Sequence, residues 1–512
     1  MSISTQRRDG SETTSGIPHH QNLIGGRWVK AGSGETFKSV NPANVDEVIG
    51  YFASSNSADV TKAIDAAANA LPAWKKTPAP HRADMILRAA GLLETRKEEL
   101  ANLMTREMGK VLDEARGDVQ EAIDMAKFMA GEGRRLIGQT VPSELTSKFA
   151  MSMRQPIGVV GLITPWNFPI AIPSWKLFPA LVCGNTVVFK PATDTPLCAL
   201  KLVEILVEAG LPPGVLNFVT GRGAEVGMAI VEDPRVRAIS ITGSSEVGRR
   251  VAGRCGELMK RISCELGGKN AICVMDDADL ELAVDGALWG AFGTTGQRCT
   301  AASRVIIHKS VYNKFADAFV ERTKQLKIGD GLDEAVQVGP VVNKSQLQSV
   351  SSYVQIGKEE GAKLLCGGKI LSEGDYEKGC FHEATVFGEV SPTMRIAQEE
   401  IFGPVTALIK AESFDDMIKI ANGTDYGLSL SMYTQQVNLA FRAIEELESG
   451  IVYVNAPTIG AEIQLPFGGV KQTGNGHREA GTTAVDQFTE WKSVYVDYSG
   501  RLQKAQIDSY DG

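Results

Sequence analysis

From Ser57 the apolar positions Val60, Ala63, Ile64, Ala67, Ala70 and Leu71 recur at helical spacing, which predicts a helix with Ser57 as N-cap and Pro72 as its stop. Two longer helical patterns follow at about 80–107 and 112–136, on which Asp113, Glu114 and Lys127 read as solvated positions without chemistry. After Ile157 the pattern changes. The runs I-G-V-V-G-L-I (157–163), T-V-V-F (186–189), V-L-N-F-V (215–219) and V-R-A-I-S-I (236–241) read as strands about 25–30 residues apart, with helices such as 196–210 between them. Such alternation predicts a parallel sheet joined by right-handed crossovers, with ligands at the carboxyl ends of its strands. A second alternating block runs from about 270 to 480, with helices at 279–292 and 310–326 and strands at 303–308 and 450–455. The fold class is therefore α/β, with two parallel-sheet domains.

Composition narrows the partners. A chain of 512 residues exceeds one ordinary core, so two or three domains are expected. Its formal net charge is −8 and it has no long basic run, which argues against nucleic acid or an anionic membrane and for a small-molecule substrate. No apolar stretch reaches the length of a membrane span. The first twenty residues are polar and lack the apolar segment of a secretory signal despite Arg7-Arg8, so they read as a flexible tail. Eight cysteines without C-x-x-C spacing indicate neither zinc nor a disulfide framework, and a reducing, cytoplasmic setting is expected.

Two residues propose chemistry. Cys299 lies in G-Q-R-C-T (296–300), and Glu265 opens E-L-G-G-K (265–269). A thiolate attacks carbonyl carbon, and a carboxylate in an apolar site is a proton acceptor near neutral pH. The nearest histidine, His308, lies in a predicted strand, so no local Cys–His pairing is suggested. The small and polar residues around Cys299 set it apart from Cys183, Cys198, Cys255, Cys264, Cys273, Cys366 and Cys380, which read as packing.

Further motifs fall at predicted strand ends. T-P-W-N-F-P (164–169) offers Asn167 either as an oxyanion donor, worth roughly 3–4 kcal/mol, or as a turn residue between prolines. F-K-P-A-T-D-T-P (189–196) offers Lys190 either to a ribose or phosphate or simply to solvent. The runs T-G-R-G-A-E-V-G (220–227), with Gly223 and Gly227, and T-G-S-S-E-V-G (242–248), with Thr242, Gly243 and Ser244, could present backbone N–H groups to a pyrophosphate. The first is one residue longer than the dinucleotide fingerprint. The second continues into Arg249-Arg250 where a phosphate-loop nucleotidase requires Lys-Ser/Thr, which disfavours that enzyme.

In this order, the runs resemble the aldehyde dehydrogenase superfamily, from L-I-G-G-R-W (23–28) through E-E-I-F-G-P (399–404) to P-F-G-G-V-K (466–471). The resemblance implies a cofactor-binding domain from 21–138 and 160–264 and a catalytic domain at 265–480. It also implies a bridging β oligomerisation element from 139–159 and 488–508, in a homo-oligomer of two or four chains. It makes Cys299 the nucleophile, Glu265 the base, and Asn167 with the Cys299 N–H the oxyanion hole. Thr164, Pro165, Trp166, Lys190, Thr193, Gly223, Gly227, Thr242, Gly243, Ser244, Glu400 and Phe402 become cofactor contacts. Many NAD-preferring members carry Glu where this chain has Thr193, so NADP is expected, with NAD as a second cofactor. The segments 296–304, 473–481 and 490–503 are most similar to the members that oxidise α-ketoglutaric semialdehyde, and Arg298 is a candidate anchor for its distal carboxylate or else a structural ion-pair partner. Phe168, Trp175 and Phe467 would make the pocket partly aromatic. The alternatives are a succinic semialdehyde enzyme, a broad aliphatic or aromatic aldehyde dehydrogenase, and a catalytically silent relative, which retention of Cys299, Glu265 and Asn167 opposes.

Overall fold

Five largely buried runs form the parallel part of one sheet, as expected of strands covered on both faces. In space their order is Leu216–Phe218, Thr186–Lys190, Val159–Ile163, Val236–Thr242 and Arg261–Glu265. The chain steps outward from the Val159 strand to the Leu216 strand and then crosses back to lay Val236–Thr242 on the other side. That reversal leaves a crevice between neighbouring crossovers at the carboxyl ends. Asn22–Ile24 and Arg27–Val29 extend the sheet as an antiparallel hairpin. In this computed structural model residues 16–507 are described, so residues 1–15 of the expected tail, and Asp508 of the expected bridging element, lie outside the described residues. His19–His20, also assigned to the tail, instead pairs in parallel with Asn44–Ala53.

The second sheet runs Lys363–Cys366, Thr385–Gly388, Val405–Ala411, Arg304–His308, Ala271–Val274, Ser429–Tyr433 and Ile451–Val454, parallel except for its first strand. A third, antiparallel sheet joins distant segments: Thr489–Asp497 pairs along its whole length with Lys148–Pro156, which also pairs with Gln139–Val141. By pairing, Val159 and Glu265 both belong to the first sheet, at the margins of the ranges read from sequence.

Several element ends differ from the sequence reading. Asn56 caps the first helix, Ser57–Trp74: its side chain accepts from the Ala58 and Asp59 N–H groups while Asp59 accepts from the Asn56 N–H. Pro72 sits within that helix's last turn rather than ending it. The expected helix 80–107 is two, Ala79–Thr95 and Lys97–Met108, broken where Arg96 leaves helical geometry (φ −108°, ψ 12°) and its guanidinium reaches Glu208. The next helix, Leu112–Glu132, stops four residues early.

Candidate active site

The five parallel strands deliver the candidate cofactor residues side by side along one edge. In order across the sheet come the Gly223 loop, Lys190, the run Thr164-Pro165-Trp166-Asn167, the run Thr242-Gly243-Ser244, and Glu265. At the usual strand spacing the row spans about 19 Å. Ser244 caps the Ser245–Glu257 helix, its Oγ accepting from the Val247 N–H at 3.4 Å. The hydroxyls of Thr164 and Thr242 are buried without a partner. A Cβ placed on Gly223 or Gly243 would meet nothing within 4 Å, so both backbones face open space, whereas Gly227 packs against Lys190. Lys190 is buried and donates to the Pro191 carbonyl at 2.7 Å. Burial pulls its pKa down to about 8 against the opposing charge of Asp194. Thr193 lies half-buried in the same loop. Unpaired hydroxyls, open backbone, a helix N-terminus and a lysine together fit the ribose and pyrophosphate of a dinucleotide.

Cys299 faces this edge from the other sheet. Glu265 ends the last strand of the first sheet and Ala271 begins a central strand of the second, so 266–270 crosses between them. Asn270 donates to the carbonyls of Cys299 at 2.7 Å and Ala301 at 3.0 Å, and accepts from the Ser429 N–H at 3.0 Å. The nucleophile loop is thereby tied to the amino end of the second sheet. A side chain at Gly268 would run into the Cys299 carbonyl, and one at Gly267 into Glu400. Ahead of Cys299, Thr294 (φ 52°), Thr295 (φ 58°) and Gly296 (φ 68°) are all left-handed, a strained path for two β-branched residues. Glu114 holds it: the Thr294 N–H donates to both carboxylate oxygens at 2.8 Å, and the Thr294 hydroxyl adds a bond at 3.1 Å.

The groups around the thiol are poised by exclusion of water. Burial, then Glu400 and Glu265, push the Cys299 thiol up to about 12. Glu400 accepts from the Gly268 N–H at 2.9 Å, yet burial brings its pKa up to about 7. Neither carboxylate oxygen of Glu265 has a partner, and burial followed by the nearby Glu479 holds its pKa well above the usual carboxylate range. Glu479 is itself ion-paired with Lys176, which also donates to Ser240 at 2.8 Å. Asn167 is buried and donates one amide hydrogen to the Gln297 carbonyl at 3.1 Å, two residues before the thiol. Phe402, itself left-handed (φ 54°), meets Trp166 edge-on at 5.3 Å, joining the two sheets' loops.

A cleft opens onto the thiol. Cys299, Glu265, Thr242, Arg298, Phe168, Trp175 and Phe467 all line it, so four residues read as substrate contacts converge with the thiol and the carboxyl. Trp175 and Phe467 meet edge-on at 4.9 Å. Arg298 has two kinds of surroundings. It lines the cleft, and it also donates to Thr294 Oγ1 at 2.8 Å, lies 3.4 Å from Glu114, and stacks between Phe168 and Trp289.

Architecture and site define a nucleotide-edge α/β enzyme with a cysteine at the junction of two sheets. The chain belongs to the aldehyde dehydrogenase family, which it matches over residues 28–494, and so is an oxidoreductase that uses NAD(P). It is 45% identical over 475 residues to an alpha-ketoglutaric semialdehyde dehydrogenase of Bacillus subtilis, covering 93% of this chain and 97% of that protein. It is 43% identical over 479 residues to an alpha-ketoglutarate semialdehyde dehydrogenase of Haloferax volcanii, covering 93% and 99%. The crystal structure of a betaine aldehyde dehydrogenase from Staphylococcus aureus in complex with NAD+ superposes with a TM-score of 0.92 at 34% identity, covering 94% of this chain and 95% of that one.

Sequence reasoning missed two groups of site residues. Glu114, read as solvated, is buried and braces the thiol loop, while its neighbours Asp113 and Lys127 are exposed as expected. Polar residues in a helix read as outward-facing unless their partner, here a loop 180 residues away, is known. Asn270, in contrast, directly follows E-L-G-G-K, and its place beside a tight glycine turn was a usable signal. Among the described residues no cluster of His, Cys, Asp or Glu could hold a metal, and no helix is long and apolar enough to cross a membrane.

Proposed function

We propose that this enzyme oxidises a semialdehyde bearing a distal carboxylate, of the α-ketoglutaric semialdehyde class, with NADP preferred over NAD. The observation that carries the reading is the convergence of Cys299, Glu265, Arg298 and three aromatic rings on one cleft. The B. subtilis and H. volcanii relatives support the substrate class.

In this reading Cys299 gives its proton to water in the cleft and its Sγ adds to the aldehyde carbon, while the second amide hydrogen of Asn167 and the Cys299 N–H stabilise the oxyanion. A nicotinamide, when bound, supplies the acceptor for the hydride that leaves this carbon. The thioester left on Cys299 is then hydrolysed: Glu265 takes a proton from water, the water oxygen bonds to the acyl carbon, and the Sγ–C bond breaks to release the carboxylate. Lys190 and Ser244 would hold the ribose and pyrophosphate, and Glu400 the nicotinamide ribose, with Thr164, Pro165, Trp166, Gly223, Gly227, Thr242, Gly243 and Phe402 around them. Thr193 places no negative charge near a 2′-phosphate, and Lys190 supplies a cation for it. The ranges 21–138 with 160–264, joined by Val159 and Glu265 through their strand pairing, and the rest of 265–480 are the cofactor and catalytic domains. The sheet of Gln139–Val141, Lys148–Pro156 and Thr489–Asp497 is the contact of a cytoplasmic homodimer or homotetramer.

The test is kcat/KM for α-ketoglutaric semialdehyde, succinic semialdehyde, pentanal and benzaldehyde, with Cys299→Ala inactive in every arm. A preference of about tenfold or more for the carboxylated aldehydes, roughly 1.4 kcal/mol, is expected. Equal or better turnover of pentanal and benzaldehyde would overturn the substrate class.

A further inference from the structure

Three acids lie along one face of the Leu112–Glu132 helix, at the i, i+4, i+7 positions Glu114, Asp118 and Glu121. Two are matched. Glu114 faces Arg298 at 3.4 Å and accepts from Thr294. Asp118 forms a fully buried ion pair with Lys110 at 2.9 Å and accepts from the Ala171 N–H at 2.7 Å. Glu121 is different: it lines the cleft with Cys299 and Arg298, and among the described residues its carboxyl accepts no hydrogen bond and forms no ion pair. Two cations thus meet two anions, and a third acid remains at the wall where the substrate's far end would lie.

An anion cannot enter beside an ionised, unpaired carboxylate without strong repulsion, whereas two carboxyl groups that share one proton attract each other. We propose that Glu121 sets the specificity of the cleft: protonated, it donates a hydrogen bond to the distal carboxylate of the semialdehyde beside Arg298; ionised, it turns that substrate away. This rests on the semialdehyde reading above.

The charged and titratable groups around Glu121 are Asp118, Asp124, Lys110 and Arg298, with the phenol of Tyr453. Burial and then Asp118 push its pKa up to about 8, against Arg298 and Lys110. The protonated form therefore dominates at neutral pH and is lost as pH rises through that value.

The test uses the full-length enzyme at saturating cofactor from pH 6.5 to 9.5. It reads the ratio of kcat/KM for α-ketoglutaric semialdehyde to that for pentanal, in wild type and Glu121→Gln. Titration of Cys299, Glu265 and Glu400 affects both aldehydes and cancels in the ratio, as does any inactive protein. In wild type the ratio is expected to fall about tenfold from pH 7 to 9, as the neutral fraction of a group near pKa 8 drops from roughly nine-tenths to one-tenth. In Glu121→Gln, whose amide donates at every pH, the ratio is expected to stay flat. A flat wild-type ratio well above one, or a fall that survives in Glu121→Gln, overturns the role of Glu121 and leaves the semialdehyde reading standing. A ratio near or below one at every pH overturns both.

Discussion

Lys190 is asked to be a cation in a place that disfavours one. Its ammonium is buried, with one carbonyl acceptor, and its pKa is brought down to about 8. The charge is present below that pH and lost above it, while a 2′-phosphate is fully ionised above pH 7. The affinity for NADP, measured by fluorescence titration, is therefore expected to weaken up to about tenfold from pH 7 to 9, with NAD changing much less. Thr193→Glu should remove both the NADP preference and its pH slope by adding a second carboxylate to the loop that already holds Asp194. Equal slopes for the two cofactors would show that Lys190 does not meet the phosphate. At Glu265 and Cys299 the same physics raises both pKa values, because burial penalises thiolate and carboxylate alike.

At the scale of elements, the nucleophile loop is a strained segment held by a helix remote in sequence. Thr294 and Thr295 stay left-handed because Glu114 binds the Thr294 N–H and hydroxyl, and because Thr295 donates to the Gly339 carbonyl at 3.0 Å. Gly296 completes the turn where a side chain would strike Gly403. Glu114→Ala leaves Arg298 without its carboxylate and the loop without its brace. Calorimetry is expected to show a loss of about 3–5 kcal/mol, as for a broken buried pair. kcat/KM is expected to fall about a hundredfold through displacement of Cys299. Glu114→Gln, which keeps one acceptor oxygen, should recover part of both; full activity in Glu114→Ala would show that the loop holds itself. The helix itself was readable from its apolar period, but the inward side of its acids was not. Period marks Ala115, Val119, Ala122 and Ala126 as core, and it says nothing of cations arriving from elsewhere to bury Glu114 and Asp118.

Over the whole molecule, Thr489–Asp497 is the outer strand of its sheet, and it exposes Trp491, Tyr495 and Val496. A long edge strand that exposes apolar side chains invites pairing with another chain. The proposed assembly should therefore run through it. Light scattering is expected to give a dimer or tetramer for the wild type and smaller species for Tyr495→Asp; a monomeric wild type would remove the proposal.

Periodicity determined much by itself. The alternation of short apolar runs with helices predicts strands at 157–163, 186–189, 215–219 and 236–241, and they form at Val159–Ile163, Thr186–Lys190, Leu216–Phe218 and Val236–Thr242, because a strand buried on both faces must be apolar throughout. Motif residues then fall at the strand ends, since the same chain that ends a strand forms its loop. Only the tertiary structure decided their spatial order, because neighbours in a sheet are set by crossovers that local pattern does not encode. It alone brought Glu114 under Thr294, Glu479 beside Glu265, and an unpaired Glu121 into the cleft with Arg298. Those are electrostatic encounters, attractive at Thr294 and repulsive at Glu265, between segments far apart in sequence, and a charge shows its purpose only when its surroundings are known.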